Sequence, residues 1–351
     1  MQERLKIAVI VNPAAHKGGA GKRWPAIQAE LVRRLGRFEP LITQAPGHAT
    51  HLARAALAEG VRRFVAVGGD GTVNETLNGL LEPSGRLSAP DTVLCPVPAG
   101  TANELCRALG HLDHPARAFD AAAGEGTRAI DLLRVRCRGL DGQPVDRFGY
   151  LIVSLGAAAT ISHRASQSRW LKKLGEIAYL LMTPTVTLGY RHRDVAITID
   201  GVADGTRRLF TALVANTENG GGGMKLMPGA TPDDGILDLI EMGDVSRLGM
   251  LFGVMPKLYS GAHVHHPKVR TSRGTSFRFE SDVETLVDLD GETVGRLPLD
   301  VSVLPRAFLV GTVSDDDAAS WPGDTGGRRL RRGDRLLHRK AGLHARRRHR
   351  A

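Results

Sequence analysis

The run Val65-Ala66-Val67-Gly68-Gly69-Asp70-Gly71-Thr72-Val73-Asn74-Glu75 constrains this chain more than any other feature. Its apolar start reads as a strand buried on both faces, its glycines as a turn, and the residues from Thr72 onward as a helix. Glycines allow a backbone to approach phosphate oxygens closely and to take positive φ. The first N–H groups of the helix, at the positive end of its dipole, suit an anion. Asp70 suits Mg²⁺ or its waters, and Thr72 can donate to phosphate. Standing alone, the run also fits a plain strand–helix turn capped by Asp70.

The same device recurs one strand later in Pro98-Ala99-Gly100-Thr101-Ala102-Asn103-Glu104, which makes coincidence a poorer explanation. A third loop follows the first strand: Asn12-Pro13-Ala14-Ala15-His16-Lys17-Gly18-Gly19-Ala20-Gly21-Lys22. It superficially suggests a P-loop but fails that pattern, because His16 stands where the first glycine should be and Arg23 replaces Ser/Thr. No GxGxxG is present, so a dinucleotide site is not supported.

Around these loops the first 130 residues alternate. Residues 5–11, 39–43, Phe64–Val67 and Val93–Val97 read as strands. Residues 25–36, Thr50–Glu59, Thr72–Leu81 and Thr101–Leu109 read as helices. That order implies a parallel sheet covered on both faces, with ligands at the carboxyl ends of the strands. After about residue 130 strand follows strand: Ile130–Val135, Phe148–Ser154, Asp194–Ile199, Phe210–Ala215, Ile236–Met242, Ser276–Phe279, Thr285–Asp288 and Val301–Val303. Asp200-Gly201 and Asp290-Gly291 are hairpin signals between them. Two helices are expected here, Ala165–Thr183 and Ser246–Tyr259. The expected organisation is therefore α/β: a parallel-sheet domain over residues 1–130 with a return segment at about 305–313, and a mainly antiparallel domain over 131–304. Residues 314–351 are expected to form a disordered basic tail.

The tail also accounts for the charge. The chain has 351 residues, 47 Lys/Arg and 37 Asp/Glu, a net charge of +10. Residues 326–351 hold eleven Lys/Arg and one acid, Asp334, which leaves thirty-six of each sign elsewhere. The body therefore has no basic surplus and no nucleic-acid motif, and no specific nucleic-acid partner is expected. For an enzyme with a membrane-resident substrate, Arg328–Arg350 could dock on anionic lipid, at about 1 kcal/mol per residue near the surface; nucleic-acid binding or a solvated tail are the alternatives. Three cysteines without CxxC spacing argue against a disulfide framework or zinc site and for a reducing compartment. No stretch approaches the roughly 18 apolar residues of a membrane span. His263, His265 and His266 have no Cys or acid nearby and read as structural or solvated.

These motifs in this order resemble the diacylglycerol kinase catalytic-domain family, in particular bacterial soluble lipid kinases, with sphingosine and ceramide kinases as relatives. The resemblance runs from about Ile7 to Val310 and takes in Asn12-Pro13, the GGDGTxNE run, Pro98–Arg107, Ile130-Asp131 and Ser154-Leu155-Gly156. It continues through Pro228–Leu237, His266-Pro267-Lys268-Val269 and Asp290-Gly291-Glu292. It implies a nucleotide-binding domain of the NAD kinase and diacylglycerol kinase type, joined to a β-sandwich. ATP would contact Asn12, Pro13, Ala14, Ala15, His16, Thr43, Gly68, Gly69, Asp70, Gly71, Thr72, Val73, Asn74 and Thr101. Asp70, Glu104 and Asp131 would form a carboxylate and water network around the catalytic Mg²⁺. Asp290 would be the general base for the lipid hydroxyl, with Glu292 on the same strand face. The Thr231 and Ile236 carbonyls with the Asp234 carboxylate would hold a second, structural metal. The resemblance implies a cytoplasmic protein working at the inner membrane surface on a lipid alcohol such as diacylglycerol. By spacing alone, Asp290-Gly291 is a plain type I′ turn, while Pro232-Asp233-Asp234-Gly235 fits an ordinary surface turn as well as a metal loop. Ala15 and His16 depart from the small Ser-Gly of the family, and Gly220–Gly223 suggests a mobile loop beside the metal. Two other readings stay open: an NAD kinase-like phosphotransferase, which shares the GGDG turn, and a non-catalytic nucleotide- or lipid-binding regulator. Neither the lipid nor the oligomeric state is legible in the sequence.

Overall fold

A computed structural model describes residues 6–167 and 176–313, with side chains for all but 176–181. The basic tail and part of the expected Ala165–Thr183 helix lie outside the described residues. The first half is built from β1 (Ile7–Val11), α1 (Gly19–Leu35), β2 (Pro40–Ile42), α2 (His48–Ala58), β3 (Arg63–Gly68), α3 (Asp70–Leu80), β4 (Val93–Pro98), α4 (Glu104–Ala108) and α5 (Pro115–Ala123). Strands β2, β1, β3 and β4 lie side by side and parallel. β3 is buried at every position, as a strand covered on both faces must be. One of its faces packs on Ala53, Leu77 and Leu80 of α2 and α3, while the other packs on Leu31 and Ala118 of α1 and α5.

The second half begins with β5 (Thr127–Arg138), β6 (Pro144–Gly149), β7 (Ile152–Gly156), α6 (Ala157–Gln167) and α7 (Glu176–Gly189). It continues with β8 (Arg193–Ile199), β9 (Val202–Leu209), β10 (Thr211–Ala215), β11 (Leu237–Met242), β12 (Val269–Gly274), β13 (Ser276–Glu280), β14 (Leu286–Leu289) and β15 (Glu292–Gly311). The strand pairs within this half are antiparallel, and their inner faces form one core around Phe277, Phe279, Leu299 and Val301. Strand β15 joins the halves. It runs antiparallel to β5, β13 and β14 for most of its length, then sets Leu309 and Val310 parallel to Val93 and Leu94. Two register shifts bend it on the way, the second spanning Arg306, whose φ is 51°. β5 and β15 cross both expected domain limits in one piece, so the sheet has no break at 130 or 304.

Several elements differ from expectation for local reasons. Asn103 takes φ 50°, which delays α4 to Glu104. The Ser246–Tyr259 stretch is a helical turn (Arg247–Gly249), a π-helical turn (Met250–Val254) and a 3-10 turn (Met255–Lys257). Gly249, Gly253 and Pro256 deny it a continuous α-helix. Strands β9 and β12 are polar edge segments that owe their conformation to their neighbours β8 and β11. Helix α5 is not among the expected elements, although Pro115 at its first turn and its alanines are helix signals.

Candidate active site

The two glycine turns meet at the ends of β3 and β4. A Cβ on Gly100 would collide with the Gly69 Cα, so one backbone lies directly on the other. A Cβ on Gly68 would likewise collide with Thr72. Asn12, just past β1, closes the third side. Its N–H donates to the Val67 carbonyl (3.0 Å), and its Nδ2 donates to Thr72 Oγ1 (3.0 Å). His16, at φ 51°, puts Nδ1 3.2 Å from Thr101 Oγ1, so the residue that departs from the family pattern bridges the first loop to the Gly100 turn. Thr43 follows β2 and donates its N–H to the Val11 carbonyl (2.9 Å). Pro13, Ala14 and Ala15 form the turn between, in which Ala14 N–H donates to Asn12 Oδ1 (3.1 Å). Gly71 and Val73 lie in the first turn of α3.

Asp70 opens α3 and holds the start of α4: its Oδ1 accepts from the N–H groups of Glu104 (2.8 Å) and Leu105 (3.4 Å). Burial, then the Glu104 charge, push its carboxyl up to about 6; Asp290 contributes in the same direction. Glu104 is buried, accepting from Gly222 N–H (2.7 Å), Gly223 N–H (2.9 Å) and Arg107 Nε (3.1 Å). The Gly220–Gly223 loop is therefore tied by hydrogen bonds to the start of α4.

Asp290 reaches this place from the other half. Asp290 and Gly291 have φ of 51° and 90°, the two positive values a two-residue I′ hairpin needs. Oδ2 accepts from Asn74 Nδ2 (3.1 Å) and Tyr150 N–H (3.0 Å); Oδ1 accepts from Leu151 N–H (3.1 Å) and Ile152 N–H (2.9 Å). Burial nonetheless holds its carboxyl above the usual carboxylate range, because desolvation outweighs these donors. Tyr150 closes the circuit: its hydroxyl donates to the Asp70 carbonyl (3.1 Å). Thus Asn74 of the glycine-turn helix and Tyr150 of the second half link Asp70 to Asp290.

Three expected placements change. Glu292 shares no strand face with Asp290, because the hairpin reverses the chain between them; it pairs with Leu289 across the ladder and is 65% exposed, 3.8 Å from Arg147. The Asp70, Glu104 and Asp131 set divides. Buried Asp131 accepts from Gly235 N–H (2.7 Å) and Arg306 N–H (2.6 Å), pinning the Pro232–Gly235 loop against the β15 bulge. Its carboxyl is pushed up by burial, with the Asp234 and Asp233 charges adding to the shift. Finally, Asp234 accepts from Ile236 N–H (3.1 Å) and from the Arg273 guanidinium. With an arginine on that carboxylate, the Thr231, Asp234 and Ile236 set does not fit a cation as arranged. Around Asp70 the fit is better. Among the described residues nothing hydrogen-bonds Asp70 Oδ2, and clustered carboxylates that raise its pKa would be relieved by a divalent ion. The described residues contain no cluster of three or more His, Cys, Asp or Glu that forms a cage by itself.

Two residues with clear jobs were missed. Glu75 accepts from Gly47 N–H (2.8 Å) and Ala49 N–H (3.2 Å), capping α2. Asp288 is buried, with Oδ1 accepting from Gly291 N–H (3.0 Å) and Oδ2 unpartnered. Its position two residues before the hairpin aspartate was the available signal. His263 is buried with Nε2 3.1 Å from the Leu226 carbonyl, a structural histidine.

Over residues 6–135 the chain matches the diacylglycerol kinase catalytic domain, and over residues 151–312 the YegS C-terminal NAD kinase beta sandwich-like domain. The diacylglycerol kinase of Mycobacterium tuberculosis is 28% identical over 306 residues, 87% of this chain and 94% of that protein. That of Staphylococcus haemolyticus is 28% identical over 310 residues, 88% of each. A crystal structure of a diacylglycerol kinase from Bacillus anthracis has the same fold, with a TM-score of 0.63 at 21% identity, covering 89% of this chain and 98% of the other.

Proposed function

We propose that this chain, which belongs to the diacylglycerol kinase catalytic-domain family, transfers the γ-phosphate of ATP to the hydroxyl of a lipid alcohol such as diacylglycerol. One observation carries the reading: Asn74, six residues past Gly68 in the glycine turn, donates to Asp290 from the opposite half. A phosphate held at the Gly68–Thr72 and Gly100–Thr101 turns would then face a carboxylate able to take a proton.

Phosphoryl transfer depends on positioning and charge neutralisation more than on covalent chemistry. Glycine N–H groups and the start of α3 bind phosphate oxygens. Asn12 orients Thr72, and His16 with Thr101 shapes the outer side of the nucleotide site. Asp290 accepts the proton of the alcohol as its oxygen attacks phosphorus; its raised pKa brings it closer to the working pH of a general base. Asp70, with waters ordered around it, would hold Mg²⁺, which neutralises phosphate charge when bound. On this reading the lipid approaches from the β-sandwich side, and the enzyme works at the cytoplasmic face of a membrane. Among the described residues no helix is long and apolar enough to cross a membrane.

The test is transfer of radiolabelled phosphate from ATP over diacylglycerol, sphingoid bases, ceramide, phosphatidylglycerol and polyprenols, with NAD alongside. Label in one lipid class and none in NAD is the expected result. Label in NAD, or none in any acceptor, overturns it.

A further inference from the structure

Large exposed hydrophobic side chains are not spread evenly over the described residues. Phe252, the most exposed of them at 73%, stands with Leu248 (62%) and Tyr259 (61%) on one short segment between β11 and β12. Leu188, 47% exposed, belongs to α7, which packs against that segment. The segment is anchored from below: Met250 and Val254, one turn apart, are buried in the core formed with Phe210, Leu213 and Ile240. The anchors lie inward, while Leu248, Phe252 and Tyr259 are left exposed. Exposed apolar clusters of this kind mark an interaction surface.

The charge pattern selects the partner. From Val245 to Phe279 the sequence has no Asp or Glu. Arg247 and Lys257 flank the apolar residues, are exposed, and form no ion pair among the described residues. Aliphatic and aromatic tips beside two unpaired cations, with a tyrosine at the edge, match the interface of an anionic bilayer. A protein partner would more often present a continuous groove or a polar hydrogen-bonding rim. The segment is also joined to the active site: Lys225 N–H donates to the Leu258 carbonyl (2.9 Å), and nearby Gly222 and Gly223 hold Glu104.

We propose that the Arg247–Tyr259 segment, with Leu188 beside it, is a membrane-docking face that inserts Leu248, Phe252 and Tyr259 into an anionic leaflet. The choice of a lipid partner rests on the lipid-kinase reading above. The face acts independently of the basic tail and holds the β-sandwich against the leaflet from which substrate is drawn.

The test uses the full chain and vesicles of equal parts phosphatidylglycerol and phosphatidylcholine with brominated acyl chains. In the Phe252→Trp variant, fluorescence quenching beyond that of the parent is expected. The triple variant Leu248→Ser, Phe252→Ser, Tyr259→Ser should bind vesicles about tenfold more weakly or worse. It should still transfer phosphate to a water-soluble short-chain alcohol at the parent rate. Absence of extra quenching together with parent-like vesicle binding by the triple variant overturns the proposal and leaves docking to the tail. A dimer that the triple variant dissolves, again without quenching at position 252, overturns it in favour of a second copy of the chain. Quenching without phosphate transfer to any alcohol supports the face and removes the kinase reading.

Discussion

The chain uses the dipeptide Asp-Gly twice in the same two-residue turn, and the two aspartates meet opposite fates. Asp200-Gly201 has φ values of 50° and 75°, Asp290-Gly291 of 51° and 90°. In each, the carboxylate accepts several hydrogen bonds from a neighbouring stretch of chain. Asp200 takes them from Thr275 N–H (2.8 Å), Thr275 Oγ1 (2.7 Å) and Ser276 N–H (2.8 Å), and Asp290 from Asn74 and three successive backbone N–H groups. Desolvation opposes ionisation in both. At Asp200 the hydrogen bonds outweigh it and the pKa falls; at Asp290 burial wins and the pKa rises. A turn motif therefore sets the position of a carboxylate, while depth in the fold sets its proton affinity.

The largest expected difference between the two turns is catalytic. Asp290→Asn should lower phosphate transfer by about a thousandfold while ATP affinity stays within about twofold. Asp200→Asn should leave both unchanged, as measured by turnover and by nucleotide titration. Equal losses from both variants would mean that the turns serve only folding.

The next effect concerns Asp288, which has no acidic counterpart before Asp200, where Thr198 stands. Burial pushes its carboxyl up to about 7, with the Asp290 charge adding to the shift, against the bond from Gly291 and the neighbouring Ser162 hydroxyl. A raised folded-state pKa means that protonation stabilises the fold: the stabilisation is complete below the unfolded value and is lost as pH rises through about 7. Asp288→Asn should remove that dependence and, relative to the parent, gain about 2–4 kcal/mol between acidic and slightly alkaline pH. Denaturant titrations at the two ends of that window measure it, and an unchanged pH slope would count against burial as the cause.

A smaller effect is expected at the bridge between the halves. Asn74→Ala deletes a donor that favours the ionised form of Asp290, so the acidic limb of the activity profile should move to higher pH. Transfer efficiency should fall by about tenfold. A reduced rate with the limb unmoved would show that Asn74 serves the nucleotide alone. Smallest of all, Gly201→Ala and Gly291→Ala should each cost about 1 kcal/mol of stability, because a Cβ meets nothing within 4 Å at either site and only the positive φ is penalised. Thermal unfolding of the pair checks whether the two turns are energetically alike.

Much of this was legible in advance. The apolar runs of β1, β3 and β4, closed by glycine turns, specified a parallel sheet because such strands have no polar face to expose. The Gly68–Thr72 and Pro98–Thr101 turns were placed side by side from spacing alone. The polar strands β9 and β12 were not, since edge pairing rather than composition makes them extended. The placements of Glu292 and Asp131 differ from expectation for a shared reason: sequence spacing says nothing about a chain reversal at Gly291 or a bulge at Arg306.

The sequence by itself determined which residues could bind phosphate or hold a proton, since glycine's freedom at positive φ and the reach of a carboxylate are local properties. Only the tertiary structure decided which aspartates would share a site. Asp70 and Asp290 are 220 positions apart in the chain. They come together because β15 is common to the parallel and antiparallel parts of the sheet, so the β14–β15 hairpin turn lies against Tyr150 and Asn74. The same folding strips water from Asp290 and leaves Asp200 solvated, and that difference in desolvation has no counterpart in the two identical dipeptides.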